Sequence, residues 1–112
     1  MIVFVDSSAF FAMASARDEN HAVGQTIKAR ATAERWQLVS TNYILAETHA
    51  LALGRHGPMF ALRLLLELDR GGALIIRVGE VDERRAREIL VRYDDKDFSL
   101  TDATSFAVME RL

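Results

Sequence analysis

The richest run of chemically capable side chains is YDDKDFSLTDATSFAVMERL, residues 93–112. Asp94, Asp95, Asp97 and Asp102 fall within nine positions, and an apolar helical pattern follows them. Two distant carboxylates stand out by their surroundings. Asp6 directly ends the apolar run IVFV. Glu47 lies in NYILAETHALALGRHG, where its helical neighbours are Tyr43, Ile44, Ala50 and Leu51. A carboxylate on an apolar stripe loses hydration unless something compensates. Asp102 meets the same conflict, because a helix from Thr101 onward is expected to bury Phe106 and Met109. Three such acids sharing one cleft repel one another unless a cation neutralises them. Hard oxygen ligands without His or Cys favour Mg²⁺ or Mn²⁺. A site of that kind suits phosphoryl chemistry, since the metal polarises a phosphate and activates a bound water for in-line attack.

Each acid also has a purely structural explanation. Asp6 is placed to cap the helix that follows it. Glu47 can reach solvent from the edge of its stripe. Ser99 and Asp102 have the spacing of a capping box, with Ser99 as N-cap. Capping accounts for single residues, but not for the combination of Asp6, Glu47 and Asp102.

The elements that must position these acids are legible from periodicity. IVFV, residues 2–5, is a short apolar run that reads as a strand buried on both faces. SSAFFAMAS begins a helix with Ser7 or Ser8 as N-cap, and NHAVGQTIKARATAERW is a second helix with Asn20 as cap. LVST, 38–41, is the second strand. The helix from Asn42 ends near Gly54 or Gly57, and Pro58 suits the first turn of another, which Gly71-Gly72 terminates. ALIIRV, 73–78, is the third strand, VDERRAREILVRY is a helix capped by Asp82, and a loop leads to the last helix. The order β-α-α-β-α-α-β-α-α implies an α/β fold with a parallel sheet. In such sheets ligand sites gather at the carboxyl ends of strands, which is where Asp6 falls.

Composition narrows the classes further. The 112 residues suffice for one domain, with 50% hydrophobic residues to build a core. A net charge of −2 excludes a polybasic nucleic-acid coat and demands a local basic patch for any nucleic-acid partner. Arg84, Arg85, Arg87 and Arg92 form one, although pairing with Glu83 and Glu88 on a solvated helix face is the simpler expectation. The absence of cysteine fits a reducing, cytoplasmic setting. MIVFVDSSAFFAMASA lacks the basic leading region of a secretory signal, and no apolar run approaches the ~20 residues of a membrane span. His21, His49 and His56 lack metal-ligand spacing. FALRLLLEL packs one face into the core and offers the other as a partner surface.

IVFVDSSAFFA, STNYILAETHAL and YDDKDFSLTDATSFAVMERL, in that order, resemble the PIN domain, in particular the ribonuclease toxins of VapBC toxin–antitoxin pairs. The resemblance spans almost the whole chain and implies a single domain over residues 1–112, a three-layer α/β/α sandwich with a parallel sheet. It puts Asp6, Glu47 and Asp102 on the family's three acids, Ser7 and Ser99 on small hydroxyl positions beside them, and Asp95 on an auxiliary acid. It implies hydrolysis of RNA phosphodiesters with Mg²⁺ or Mn²⁺, inhibition by a cognate antitoxin protein, and a homodimer. The family usually continues into another strand carrying a fourth acid, so a C-terminally shortened domain is expected, with the first strand at an exposed edge that favours pairing with another chain. The alternative function is a catalytically impaired module that dimerises or binds antitoxin. A receiver or phosphatase-like domain also places an aspartate after its first strand, but Ser8 stands where the phosphatase pattern wants a second one, and LVST and LIIRV supply no acceptor for a receiver.

Overall fold

The computed structural model describes residues 1–112. The elements are β1 (Ile2–Phe4), α1 (Ser7–Ala14), α2 (His21–Ala33), β2 (Gln37–Thr41), α3 (Asn42–Asp69), β3 (Leu74–Ile76), α4 (Glu80–Arg92) and α5 (Leu100–Arg111). The strand–helix–helix rhythm is the one expected. The segment α3 between β2 and β3 consists of two helical arms, broken as expected at Gly57, where φ is 83° and ψ is 176°. Only glycine adopts that backbone without strain, and Pro58 then opens the second arm, where its missing N–H costs nothing. Gly71 and Gly72 end the arm with φ of 121° and 95°.

The three strands are parallel in the order β1-β2-β3, with Val3 opposite Leu38 and Ser40 opposite Ile75. Both crossovers step the same way, so their right-handedness sets α1, α2 and α3 on one face. The helices α4 and α5 pair with each other and reach α3 through α5. Strand β1 forms one edge, and Ile2 is 63% exposed there.

Small residues set the packing distances. Phe11, Ala52, Ala61 and Leu64 close α1 against both arms of α3. Val5, Phe10 and Ile44 seal α1 and α3 against the sheet. Ala86, Ile89, Ala103 and Ala107 form a separate cluster between α4 and α5. The close approach of α2 to α1 requires Gly24, because a methyl there would stand 3.2 Å from the Ala12 carbonyl carbon and the Met13 nitrogen. From α2, His21 Nδ1 donates to the Ala12 carbonyl at 2.7 Å and Gln25 Nε2 to that of Met13 at 2.6 Å. Those two carbonyls lie in the last turn of α1, which has no intrahelical donors to offer them.

Three local expectations are corrected. The cap of α1 is Asp6 rather than Ser7 or Ser8: its backbone is extended, and its carboxylate accepts from the Ala9 amide. The buried residues of α5 are Ala103, Thr104, Ser105, Ala107 and Val108, whereas Met109 is 41% exposed and Asp102 is exposed as well. The alanines among them fit closely against Ala86 and Ile89, which rotates the larger Met109 outward. Lastly, α4 starts after Gly79, which puts Asp82 at the third helical position instead of at the cap.

Asp82 is buried because it has a different task. Arg111 Nε and Nη2 donate to its two oxygens at 2.8 and 2.9 Å, and the Gly79 amide approaches at 3.4 Å. This fork joins the start of α4 to the end of α5, beside a second fork from Arg85 to Glu110 at 2.8 and 2.9 Å. The hydrogen bonds from Arg111 hold the Asp82 carboxyl below its ordinary range, against the opposing effect of burial. A depressed carboxyl stabilises the fold above its unfolded pKa of about 4, and that contribution fades as pH falls through the lower folded value. Asp82→Asn should therefore cost about 1–3 kcal/mol at pH 7. Urea titrations should show the gap between variant and parent closing below about pH 4. A gap that persists into strong acid would assign the loss to packing.

Candidate active site

All three strands end at one edge of the sheet, and the residues that leave it are tied together. Val5 extends β1 by donating to the Val39 carbonyl at 2.8 Å, and Ser40 Oγ donates to the Val5 carbonyl at 2.7 Å. Asp6 comes next, at the first residue free of the sheet. Beyond β2, Thr41 caps α3 by accepting from the Ile44 amide at 3.2 Å. Asn42 Oδ1 accepts from the Val78 amide at 2.7 Å, which binds the exit of β3 to that of β2.

Ser7 makes the decisive link. Its buried hydroxyl donates to Glu47 Oε1, joining the first turn of α1 to the second turn of α3. Glu47 is half-buried, so this bond compensates for some of the hydration its carboxylate gives up. Asp6 Oδ1 accepts from the Ala9 amide and from Ser8 Oγ, each at 3.0 Å. On α5, Asp102 Oδ2 accepts from the Ser99 amide at 2.9 Å, and Ser99 Oγ accepts from the Asp102 amide at 3.0 Å, the reciprocal box expected.

The three acids share one arrangement. Each has a single oxygen engaged by the protein and a second oxygen without a hydrogen bond. Such a carboxylate is oriented yet keeps lone pairs to offer. The donors are hard oxygens with no imidazole or thiolate among them, which fits Mg²⁺ or Mn²⁺. The structure joins Asp6, Ser7 and Glu47, while Asp102 and Ser99 bond only to each other. No group of three or more acidic or imidazole side chains is gathered closely enough to hold a metal ion. Asp95 is exposed and lies 3.9 Å from Lys96, away from these contacts.

One neighbouring constellation was not anticipated. Tyr43, one turn before Glu47 on α3, donates its hydroxyl to Glu83 Oε1 on α4. That hydrogen bond is the main reason the phenol pKa is raised. Glu83 is therefore not the partner that the arginine-rich face was expected to use. Glu88 is, through Arg85 at 3.1 Å. Two histidines serve the fold: His21 bonds to α1, and His56 stacks on Phe11 at 5.5 Å while its Nε2 meets Ser15 Oγ at 2.9 Å.

No protein-family model matches the chain. It is 32% identical to the 23S rRNA-specific endonuclease VapC20 of Mycobacterium tuberculosis, over 98% of this chain and 82% of that protein. It is 35% identical to a VapC ribonuclease of Archaeoglobus fulgidus, over 100% of this chain and 72% of that one. The chain belongs to the VapC ribonuclease family. The crystal structure of M. tuberculosis VapC20, described as a Sarcin-Ricin loop cleaving toxin, superposes with a TM-score of 0.85 at 31% identity, covering 99% of this chain and 82% of that one. The expected PIN-type α/β fold is thus the observed one.

The Ser7–Glu47 bond can be tested without catalysis. Ser7→Ala should lower stability by about 1 kcal/mol, the usual net value of one hydrogen bond. Glu47→Gln keeps an acceptor at the same place and should cost less. Urea denaturation that ranks Glu47→Gln as the more damaging change would show that the Ser7 contact is not what holds Glu47.

Proposed function

We propose that this chain is a metal-dependent endoribonuclease, the toxin of a toxin–antitoxin pair, acting on RNA phosphodiester bonds. The observation that carries the proposal is the Asp6–Ser7–Glu47 link at the carboxyl edge of the sheet, in a family whose relatives are ribonucleases. Asp6, Glu47 and Asp102 would hold Mg²⁺ or Mn²⁺ by their unengaged oxygens. Such an ion supplies Lewis acidity toward a phosphate oxygen and lowers the pKa of a bound water. The chain's own part is orientation. Ser7 keeps one Glu47 oxygen turned toward α1, the Ala9 amide fixes Asp6, and the Ser99 amide fixes Asp102. Ser7 and Ser99 are thus positioning residues, while Asp95 has no contact that recruits it.

Substitution to asparagine separates chemistry from folding at two of these positions. Asn is as good an N-cap as Asp, so Asp6→Asn preserves α1. Asn at position 102 can still accept from the Ser99 amide. Both variants should retain parental circular dichroism and lose RNA cleavage by a factor of at least about 100. Purified Asp102→Asn that still cuts RNA would sink this mechanism. A Mn²⁺ titration with no binding at millimolar concentration would favour the alternative, a module that dimerises or binds antitoxin without catalysis.

The partners that go with this reading are an RNA substrate, a cognate antitoxin protein and a second copy of the chain, in the cytoplasm. Sedimentation at micromolar concentration should give a dimer, and a single monomeric boundary would reject it. No helix is long and apolar enough to cross a membrane.

A further inference from the structure

The arginines of α4 are not equivalent. Arg84 pairs with Glu80 at 3.3 Å, and Arg85 is held by both Glu88 and Glu110. Arg92 lies over the Tyr93 ring at 5.6 Å. Arg87 differs from all of them. It stands four residues after Glu83, the favoured orientation for a helical ion pair, yet the pair is not made. The Glu83 carboxylate is instead engaged by the Tyr43 hydroxyl, and Arg87 Nη1 donates to the Glu83 backbone carbonyl at 3.1 Å. The guanidinium is left exposed, without a carboxylate or an aromatic partner. Its location is also particular. Tyr43 opens α3 at the carboxyl edge of the sheet, and Glu47 follows one turn later on the same helix.

We infer that Arg87 is an RNA phosphate contact beside the acidic site, and that Tyr43 is a positioning residue that keeps Glu83 from neutralising it. An edge carrying Asp6, Glu47 and Glu83 repels a polyanion, so a cation there has most value when it is unpaired. A guanidinium offers two parallel N–H donors to a phosphate, which suits Arg better than Lys for this contact. The phenol reaches across from α3 and takes the one carboxylate that α4 would otherwise fold back onto Arg87. This inference rests on the ribonuclease reading for the identity of the ligand, but its test does not depend on cleavage.

Binding of a fluorescein-labelled single-stranded oligoribonucleotide is followed by anisotropy in EDTA, across a series of salt concentrations. Loss of one phosphate contact lowers the slope of log K against log salt by about 0.7. Arg87→Gln should lower the slope by about that amount and weaken binding several-fold at low salt, whereas Arg84→Gln, already paired with Glu80, should change it less. Arg87→Lys should keep the slope with a modest loss of affinity. Tyr43→Phe should mimic Arg87→Gln, because Glu83 is then released to pair with Arg87. The double variant Tyr43→Phe/Glu83→Gln should restore both affinity and slope, a rescue that a merely structural tyrosine would not give. The inference is overturned if Arg87→Gln binds RNA with parental slope, or if the double variant binds no better than Tyr43→Phe alone. Absence of parental binding would also overturn the inference, whereas failure of the ribonuclease reading alone looks different: cleavage in Mn²⁺ would survive Asp6→Asn while the binding series behaved as expected.

Discussion

Three parallel strands oblige the chain to leave the sheet three times at the same edge. A parallel strand cannot be joined to its neighbour by a tight turn, so helices must begin where each strand ends. Most of what looks functional here follows from that constraint; Asp102, on a helix that follows α4 and not a strand, is the exception. Asp6 is the first residue beyond β1 and caps α1, Asn42 and Tyr43 are the first beyond β2, and Val78 leads out of β3 toward α4. The hydrogen bond from Val78 to Asn42 and the one from Ser7 to Glu47 join those exits laterally, so the edge is braced rather than being a set of separate loops.

The hydrogen bonds made by the three site acids use half of each carboxylate. A fully satisfied carboxylate would serve only the fold, and an unsatisfied one would swing freely in solvent. Asp6, Glu47 and Asp102 each stand between those limits, with one oxygen oriented by an amide or hydroxyl. The capping explanation and the functional one are therefore not rivals: the same hydrogen bond that ends a helix also aims the remaining oxygen. By contrast, Asp82 has both oxygens engaged by Arg111, and its role is to close α4 onto α5. Counting engaged oxygens separates a structural acid from an available one where burial alone would mislead, since Asp82 is the most buried of the four.

Much of this was legible in the sequence, for identifiable reasons. The strand–helix–helix order could be read because IVFV, LVST and ALIIRV are short apolar runs set between longer helical patterns. The Ser99–Asp102 box could be read because its reciprocal bonds are local. The break in α3 was legible from Gly57-Pro58, because a left-handed glycine followed by a proline ends one helix and opens another. What could not be read were choices that depend on a distant partner. Arg111 lies twenty-nine residues from Asp82, and nothing local foretells that it draws Asp82 inward. On α5, Phe106 packs against the α4–α5 cluster as expected, whereas Met109 lies outside it, because alanines make the closest contacts with α4.

The fate of Glu83 illustrates why helical spacing alone was an incomplete guide to the basic face. Spacing identifies which charges can pair within α4, and of the two partners it offered the arginines, Glu83 and Glu88, it is Glu88 that is used, by Arg85. It says nothing about an acceptor taken by another helix. Tyr43 is forty residues away and its spacing to Glu83 carries no period, yet a buried or half-buried carboxylate will accept a phenol that the fold delivers to it. The parallel sheet delivers it, because β2 and β3 are neighbours and their exits bring the start of α3 against the start of α4. The same topological rule that gathers acids at one edge therefore also decides which arginine beside them stays unpaired.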